Sequence, residues 1–382
     1  MTSGERKEIT RREFLEYGWK ATAFTLFFPQ ILADEILPAF TERVRAPEKN
    51  AEQILKQAYR TCFRTYEIAG RPLTLRIPFA WVRERFPEQI VYRWGKGNIE
   101  ELWQETEKWL SLPAFYSYLQ ALQEPEDKVI HFNLPKQKFF IIKTGKIVEN
   151  MKTLYQLFQE YSQTGNTKLV NKMTQLYPGN DSQVYIFKEG ASVTEFDMYN
   201  FFYCIPRLGI DCARLVYYGH QAIYGKELDI RLGKALGVSP LSVPYYIGSW
   251  FYNPYHCRLV EKIEDKIINL QPGDVIHFQG RTSSHSVIIQ SVNLENRVIR
   301  YFQCTDWALP EERGVHESYI LFDNPHQHLS DKTVEWTQKL LPTFPGESKP
   351  AIWGWRTDGD RYRTAVSSMV VRLKSSLTSG IQ

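Results

Sequence analysis

The chain has 382 residues, more than twice the roughly 150 residues of an average domain, so a single small module is excluded and two globular units with extensions are expected. Hydrophobic residues make up 43% and aromatic residues 14%, which excludes a disordered chain, and an evenly spread net charge of +4 makes no case for nucleic acid as a partner. Five cysteines are too few for a disulfide scaffold and cannot all pair within one chain, so at least one thiol is free or joined to another molecule.

The N-terminus carries Thr10-Arg11-Arg12-Glu13-Phe14-Leu15 and then an apolar stretch from Ala21 to Ala33. The arginine pair, the Phe-Leu and the short apolar segment stand in the order of a twin-arginine export signal, which this arrangement resembles. Residues 1–33 are therefore expected to be an export signal, and the protein to work in the periplasm or at the cell wall. Glu16 stands where that signal usually has a lysine. The stretch is too short to span a bilayer, Pro29 interrupts it, and no other segment is long and apolar enough, so no integral membrane span is expected.

Residues 34–50 are charged, contain Pro38 and Pro47, and read as a linker. From 51 to 180 the apolar spacing is mostly helical, as in AEQILKQAYRTCF, IEELWQETEKWLSL and MKTLYQLFQEY, with a strand-like run over 138–148. This predicts a mostly α-helical domain, whose residues name no role, ending at the turn Pro178-Gly179-Asn180-Asp181. From 181 to 330 the texture changes to a helix beginning at Asp211 and ended by Gly225, then strands over Asp274–Gln279, His285–Ser291, Arg297–Cys304 and Glu317–Phe322. One helix and a meander of strands predict an α+β fold with the sheet packed on the helix. The extension over 331–382 is expected to hold a helix at 331–341, a Pro-rich loop, the Ile352–Trp355 patch and a last helix from about 361.

Asp211 is a good N-cap, which puts Cys212 at the first helical position. There the helix dipole favours a thiolate, and free backbone amides can donate to an acyl oxyanion. Leu270-Gln271-Pro272-Gly273-Asp274-Val275-Ile276-His277-Phe278 forms a tight turn into a strand, and His285 opens the next one. By alternation His285 shares a face with Val287 and Ile289, and that face is expected against the helix bearing Cys212.

The order Gly-Ile-Asp-Cys-Ala-Arg-Leu-Val, Leu-Gln-Pro-Gly-Asp-Val-Ile-His-Phe, Ser-His-Ser-Val-Ile-Ile-Gln-Ser-Val resembles the NlpC-type cysteine peptidases of bacterial cell walls. The resemblance covers about 130 of the 382 residues. It implies a papain-like catalytic domain over 181–330 that hydrolyses an amide bond of a peptidoglycan stem peptide. Cys212 would be the nucleophile, His285 the base, and a polar residue on the following strand the group that holds the imidazole. Gln303 is chosen for that third role, because it lies on the opposite face from Phe302 and Cys304; Asp306 is the alternative. The resemblance also implies that Asp211 lies near the free amine of the substrate, with Ala213 and Arg214 beside it. Two departures stand out. Ala213-Arg214 replaces the usual Ser-Gly, and the interval from 212 to 285 is long, which points to an insertion around Lys234–Tyr255.

His277 is the competing base. His326 and His328 lack a third ligand at a recognised spacing, so neither a metal nor another cofactor is expected. The aromatic cluster from Tyr245 to Tyr255 is read as packing. Other functions consistent with the sequence are a transglutaminase-like enzyme using Cys212, His285 and Asp306, a permuted enzyme in which Cys304 reacts, and a catalytically silent wall-binding protein.

Overall fold

The computed structural model describes residues 48–80, 99–123, 132–134 and 137–139, scattered positions between 156 and 172, and most of 192–340 and 357–380. The expected export signal, nearly all of the linker, the turn at 178–181 and the patch at 352–355 lie outside the described residues. The described chain is mixed helix and sheet, with a curled antiparallel sheet, which agrees with the α+β class read from the sequence.

Helix α1 (Glu48–Arg60) leads into the hairpin β1 (Phe63–Ile68) and β2 (Arg71–Arg76), followed by α2 (Ile99–Leu110) and α3 (Pro113–Gln123). A short hairpin, β3 (Phe132–Leu134) with β4 (Gln137–Phe139), covers the start of the expected strand at 138–148. Helix α4 (Glu195–Cys204) then precedes the long α5 (Cys212–Leu236) and the short α6 (Val243–Tyr246). Gly225 does interrupt α5, at φ 65° and ψ −163°, but the helix resumes beyond it and ends at Gly237 in the left-handed region. A positive φ suits glycine, which is why the break falls at that position.

The main sheet has seven strands, β5 (Val260–Ile263), β6 (Val275–Gln279), β7 (Ser284–Asn293), β8 (Val298–Thr305), β9 (Gly314–Leu321), β10 (Glu335–Trp336) and β11 (Ser367–Leu373). Their spatial order is β10-β9-β8-β7-β6-β11-β5. Two expectations for the tail are corrected here. Residues 331–341 do not form a helix: Val334, Trp336, Gln338 and Leu340 are buried alternately, the period of a strand, and β10 pairs with β9. The helix expected from about 361 is the seven-residue α7 (Asp358–Thr364), after which the chain enters β11, which lies between β6 and β5. The short α8 (Ser375–Thr378) follows. The tail is therefore part of the sheet and no appendage to it.

Both faces of the sheet are buried. One face, with Val275, Ile288, Phe302, Val315 and Met369, packs under α5 and α1. Gly219 of α5 sits where the elements come closest, since a Cβ there would lie 2.8 Å from Cδ1 of Ile288 and 3.2 Å from Leu55. The other face, with Ile276, Phe278, Val287, Ile289 and Tyr301, packs against Trp336 and Tyr362. Leu55, Trp103 and Tyr118 from the first part of the chain belong to the same apolar cluster as Val216 and Ile288. The described part of the expected N-terminal domain thus shares one core with the cysteine-bearing helix. Among the described residues no helix is long and apolar enough to cross a membrane.

Candidate active site

Three contacts fix the start of α5. Asp211 is its N-cap, at φ −82° and ψ 166°, and Oδ1 accepts from the backbone N–H of Arg214 at 3.0 Å. One residue earlier, Ile210 donates to the carbonyl of Pro78 at 2.9 Å and accepts from Ala80 at 3.1 Å. The Cys304 thiol also donates to the Ile210 carbonyl, at 3.2 Å. Cys212 is therefore at the first helical position, as read from the sequence, held between the segment at 78–80 and strand β8.

Strands β7 and β8 separate at this point. Their pairing runs from Asn293↔Val298 to Ile288↔Phe302 and stops there, while β7 stays paired with β6 as far as Ser284. Ile289 bonds to Asp274 on the β6 side, so by alternation the Ser286 amide points toward β8 and the gap. That amide and the amide of Ala213 both favour a Cys212 thiolate, so the sulfur lies near each of them. The nucleophile candidate thus lies against the backbone of the residue that follows His285.

The face of His285 differs from the expectation. His285 does share a side with Val287 and Ile289, but it is paired with Phe278, and that face packs against Trp336 and Tyr362, away from α5. Ser286 and Ile288 meet the helix instead, together with His277, whose Nδ1 lies 2.9 Å from Ser286 Oγ. Cys212 on the helix side and His285 on the other face thus flank the point where β7 leaves β8, and among the described residues no hydrogen bond joins the two.

His285 and Gln303 are brought together. Nε2 of His285 and Oε1 of Gln303 are 2.6 Å apart, and the imidazole stacks on Phe278 with a centroid distance of 5.9 Å. Asp306, the alternative partner, is not at the imidazole but accepts from the Tyr203 hydroxyl at 3.0 Å. Asp211 does not present a free carboxylate to a substrate amine. Its Oδ2 is bonded to Nη1 of Arg214, and Arg214 Nε also donates to the Pro244 carbonyl at 3.3 Å. Ala213 is buried in the core.

Burial dominates the electrostatics. Cys212 is 8% exposed and His285 4%. Burial, reinforced by the Asp211 carboxylate, pushes the thiol up to about 12, against the opposing pull of the Ser286 amide, Arg361 and the Ala213 amide. Burial and then Arg361 hold His285 well below the ordinary histidine value, and the Gln303 bond opposes this. At rest the thiol and the imidazole are both neutral, the forms that burial favours.

Three residues of the tail went unread in the sequence. Gln303 Nε2 donates to Asp358 Oδ2 at 2.9 Å and to Gln338 Oε1 at 3.0 Å. Arg361, 2% exposed, lies over the Phe278 ring at 5.1 Å. One local signal was available: Thr357 and Asp360 form a capping box that starts α7. Nothing local tied that helix to β8.

The remaining candidates are structural. Cys62, Cys257 and Cys304 are buried and free. Phe251 and Tyr252 are core residues, while Tyr255 is 74% exposed. His328 Nδ1 pairs with Asp265 at 2.6 Å, and among the described residues no group of three metal-binding side chains occurs. A cavity of about 450 Å³ between β2 and α4 is lined by Arg71, Arg76, Glu195 and Tyr199 and includes no cysteine or histidine. No protein-family model matches the chain, and neither a curated protein nor a solved structure does.

Proposed function

We propose that this protein is an exported, papain-like cysteine peptidase that hydrolyses an amide bond in a peptidoglycan stem peptide. The observation that carries the reading is the 2.6 Å bond between His285 Nε2 and Gln303 Oε1, beside the point where β7 leaves β8 and where the Ser286 amide favours a Cys212 thiolate. The bond holds the imidazole and leaves Nδ1 as the nitrogen with a lone pair. In the proposed reaction Nδ1 takes the thiol proton as sulfur bonds to the scissile carbonyl carbon. Amides at the start of α5 donate to the oxyanion. The C–N bond then breaks, the proton passes to the leaving amine, and water hydrolyses the thioester with His285 again as base. The target bond and the export route rest on the sequence resemblance.

Incubating the purified chain with muropeptides and following the products by mass spectrometry tests this. Replacing Cys212 with Ala is expected to lower release by at least about a thousandfold, the scale of losing a nucleophile. Undiminished release from the variant would overturn the proposal. The low exposure of Cys212 favours one second reading, a silent wall-binding protein that keeps the fold; no release by either form, with retained pull-down on peptidoglycan, would select it.

A further inference from the structure

Gln303 has one acceptor and two donors on its amide, and its neighbours decide which way it faces. On one side stands His285 Nε2 at 2.6 Å. On the other stand Asp358 Oδ2 at 2.9 Å and Gln338 Oε1 at 3.0 Å. Asp358 Oδ2 also receives the Tyr301 hydroxyl at 3.2 Å, so it acts as an acceptor. Gln338 is oriented in turn, because its Nε2 donates to Glu312 Oε2 at 2.9 Å and to the Lys339 carbonyl at 2.8 Å. The amide nitrogen of Gln303 must therefore face the tail, and its oxygen must face the imidazole. An acceptor at 2.6 Å from Nε2 requires the imidazole proton on Nε2.

Building on the peptidase reading above, we infer that Asp358, acting through the Gln303 amide, is a positioning residue that locks His285 in the Nε2–H tautomer. This leaves the Nδ1 lone pair for the thiol proton. Asp358 does not touch the reacting atoms. Its role is to remove the alternative in which the Gln303 amide turns over, donates to Nε2 and drives the proton to Nδ1, where it would block the base. Asp358 is fully buried at the first position of α7. Thr357, its N-cap, accepts from the Asp360 amide at 3.1 Å, so the carboxylate is carried on an anchored turn. The tail that supplies β11 to the sheet thus also sets the proton on the catalytic base.

The test is ¹⁵N NMR of the His285 imidazole, with Asp358→Asn and Asp358→Glu beside the unmodified protein and thermal melts as fold controls. The unmodified protein is expected to show the Nε2–H form alone; an Nδ1–H signal there would overturn the inference whatever the variants do. Asn can donate as well as accept, so Asp358→Asn is expected to mix the tautomers and to lower kcat about tenfold or more with KM nearly unchanged. Asp358→Glu, which keeps an acceptor-only group, is expected to retain Nε2–H. A folded Asp358→Asn protein with pure Nε2–H, or with mixed tautomers and unchanged kcat, would overturn it. The NMR signal needs no turnover, so a failure of the peptidase reading in the Cys212→Ala assay is distinguishable from a failure here.

Discussion

Arg214 changes what the Asp211 carboxylate can recognise. In the peptidase family that the sequence resembles, Asp211 would lie near the free amine of the substrate. Here the Arg214 backbone amide takes Oδ1 and the Arg214 guanidinium takes Oδ2, with the carboxylate almost wholly buried. On the proposed peptidase reading, a resident cation occupies the place of an incoming one, so stem peptides with acylated amines are expected to be accepted as readily as free ones. Arg214→Gly removes the guanidinium and keeps the backbone bond. It is expected to give a preference of about tenfold or more for the free amine, the scale of one charge-assisted hydrogen bond. Ratios of kcat/KM for a free and an N-acetylated peptide measure it, and equal ratios in the variant would refute it. Such residue-level features divide by their range in sequence. The cap at Asp211 and the cysteine after it are local and were legible, while Gln303 came from the family resemblance, with strand alternation used to prefer it over Asp306. The guanidinium bond was not, because it depends on the rotamer of one long side chain. Asp358, 55 residues beyond Gln303, carried no local mark of its partner.

Elements were legible where their period was plain. The four strands from β6 to β9 were expected within three residues of where they lie, and α5 was expected from its first residue. The reading failed in the tail. Residues 331–341 contain apolar positions that satisfy a helical spacing loosely, yet Val334, Trp336, Gln338 and Leu340 are buried with period two because the sheet edge at β9 supplies partners that the segment cannot announce. Strand β11 was missed for a related reason: its pairs, Val370 with Ile276 and with Ile263, are about a hundred residues away in the chain. Its interior place, between β6 and the edge strand β5, makes an outcome definite. A chain ending at residue 356 would leave facing edges of β5 and β6 unpaired and remove Arg372, whose Nε bonds the buried Asp274 Oδ1 at 2.6 Å. Unpaired buried backbone groups and an uncompensated buried carboxylate each cost several kcal/mol, comparable with the whole stability of a domain. The truncated chain is expected to lack a cooperative thermal transition by circular dichroism. A sharp melt at the temperature of the full chain would show that the tail is dispensable to the fold.

At the scale of the whole molecule, buried histidines couple the fold to pH. His220 donates Nε2–H to the Gly273 carbonyl at 2.8 Å, and its Nδ1 has no hydrogen-bond partner. His277 Nδ1 meets the Ser286 hydroxyl at 2.9 Å. Burial lowers both groups to about 4 from the ordinary 6.5. A histidine whose folded pKa is depressed is neutral in the fold and protonated first in the unfolded chain. Its contribution is therefore complete above pH 6.5 and is lost as pH falls from there toward 4, where the unfolded state binds more protons. By pH 5 each of the two is expected to have given up on the order of 1–2 kcal/mol. Buried Asp274 and Asp358, whose pKa values are raised chiefly by burial, act in the opposite sense as pH falls toward 3.8. Raw acid sensitivity therefore does not isolate the histidines. The comparison that does is urea unfolding at pH 7.5 and pH 5 for the unmodified chain and for a His220→Gln, His277→Gln double variant. The variant is expected to start less stable at pH 7.5 and to lose less on acidification, by about 2–4 kcal/mol. An equal loss in both proteins would mean that these two imidazoles do not govern the acid limb and that other depressed groups, such as the buried His285 and His316, do.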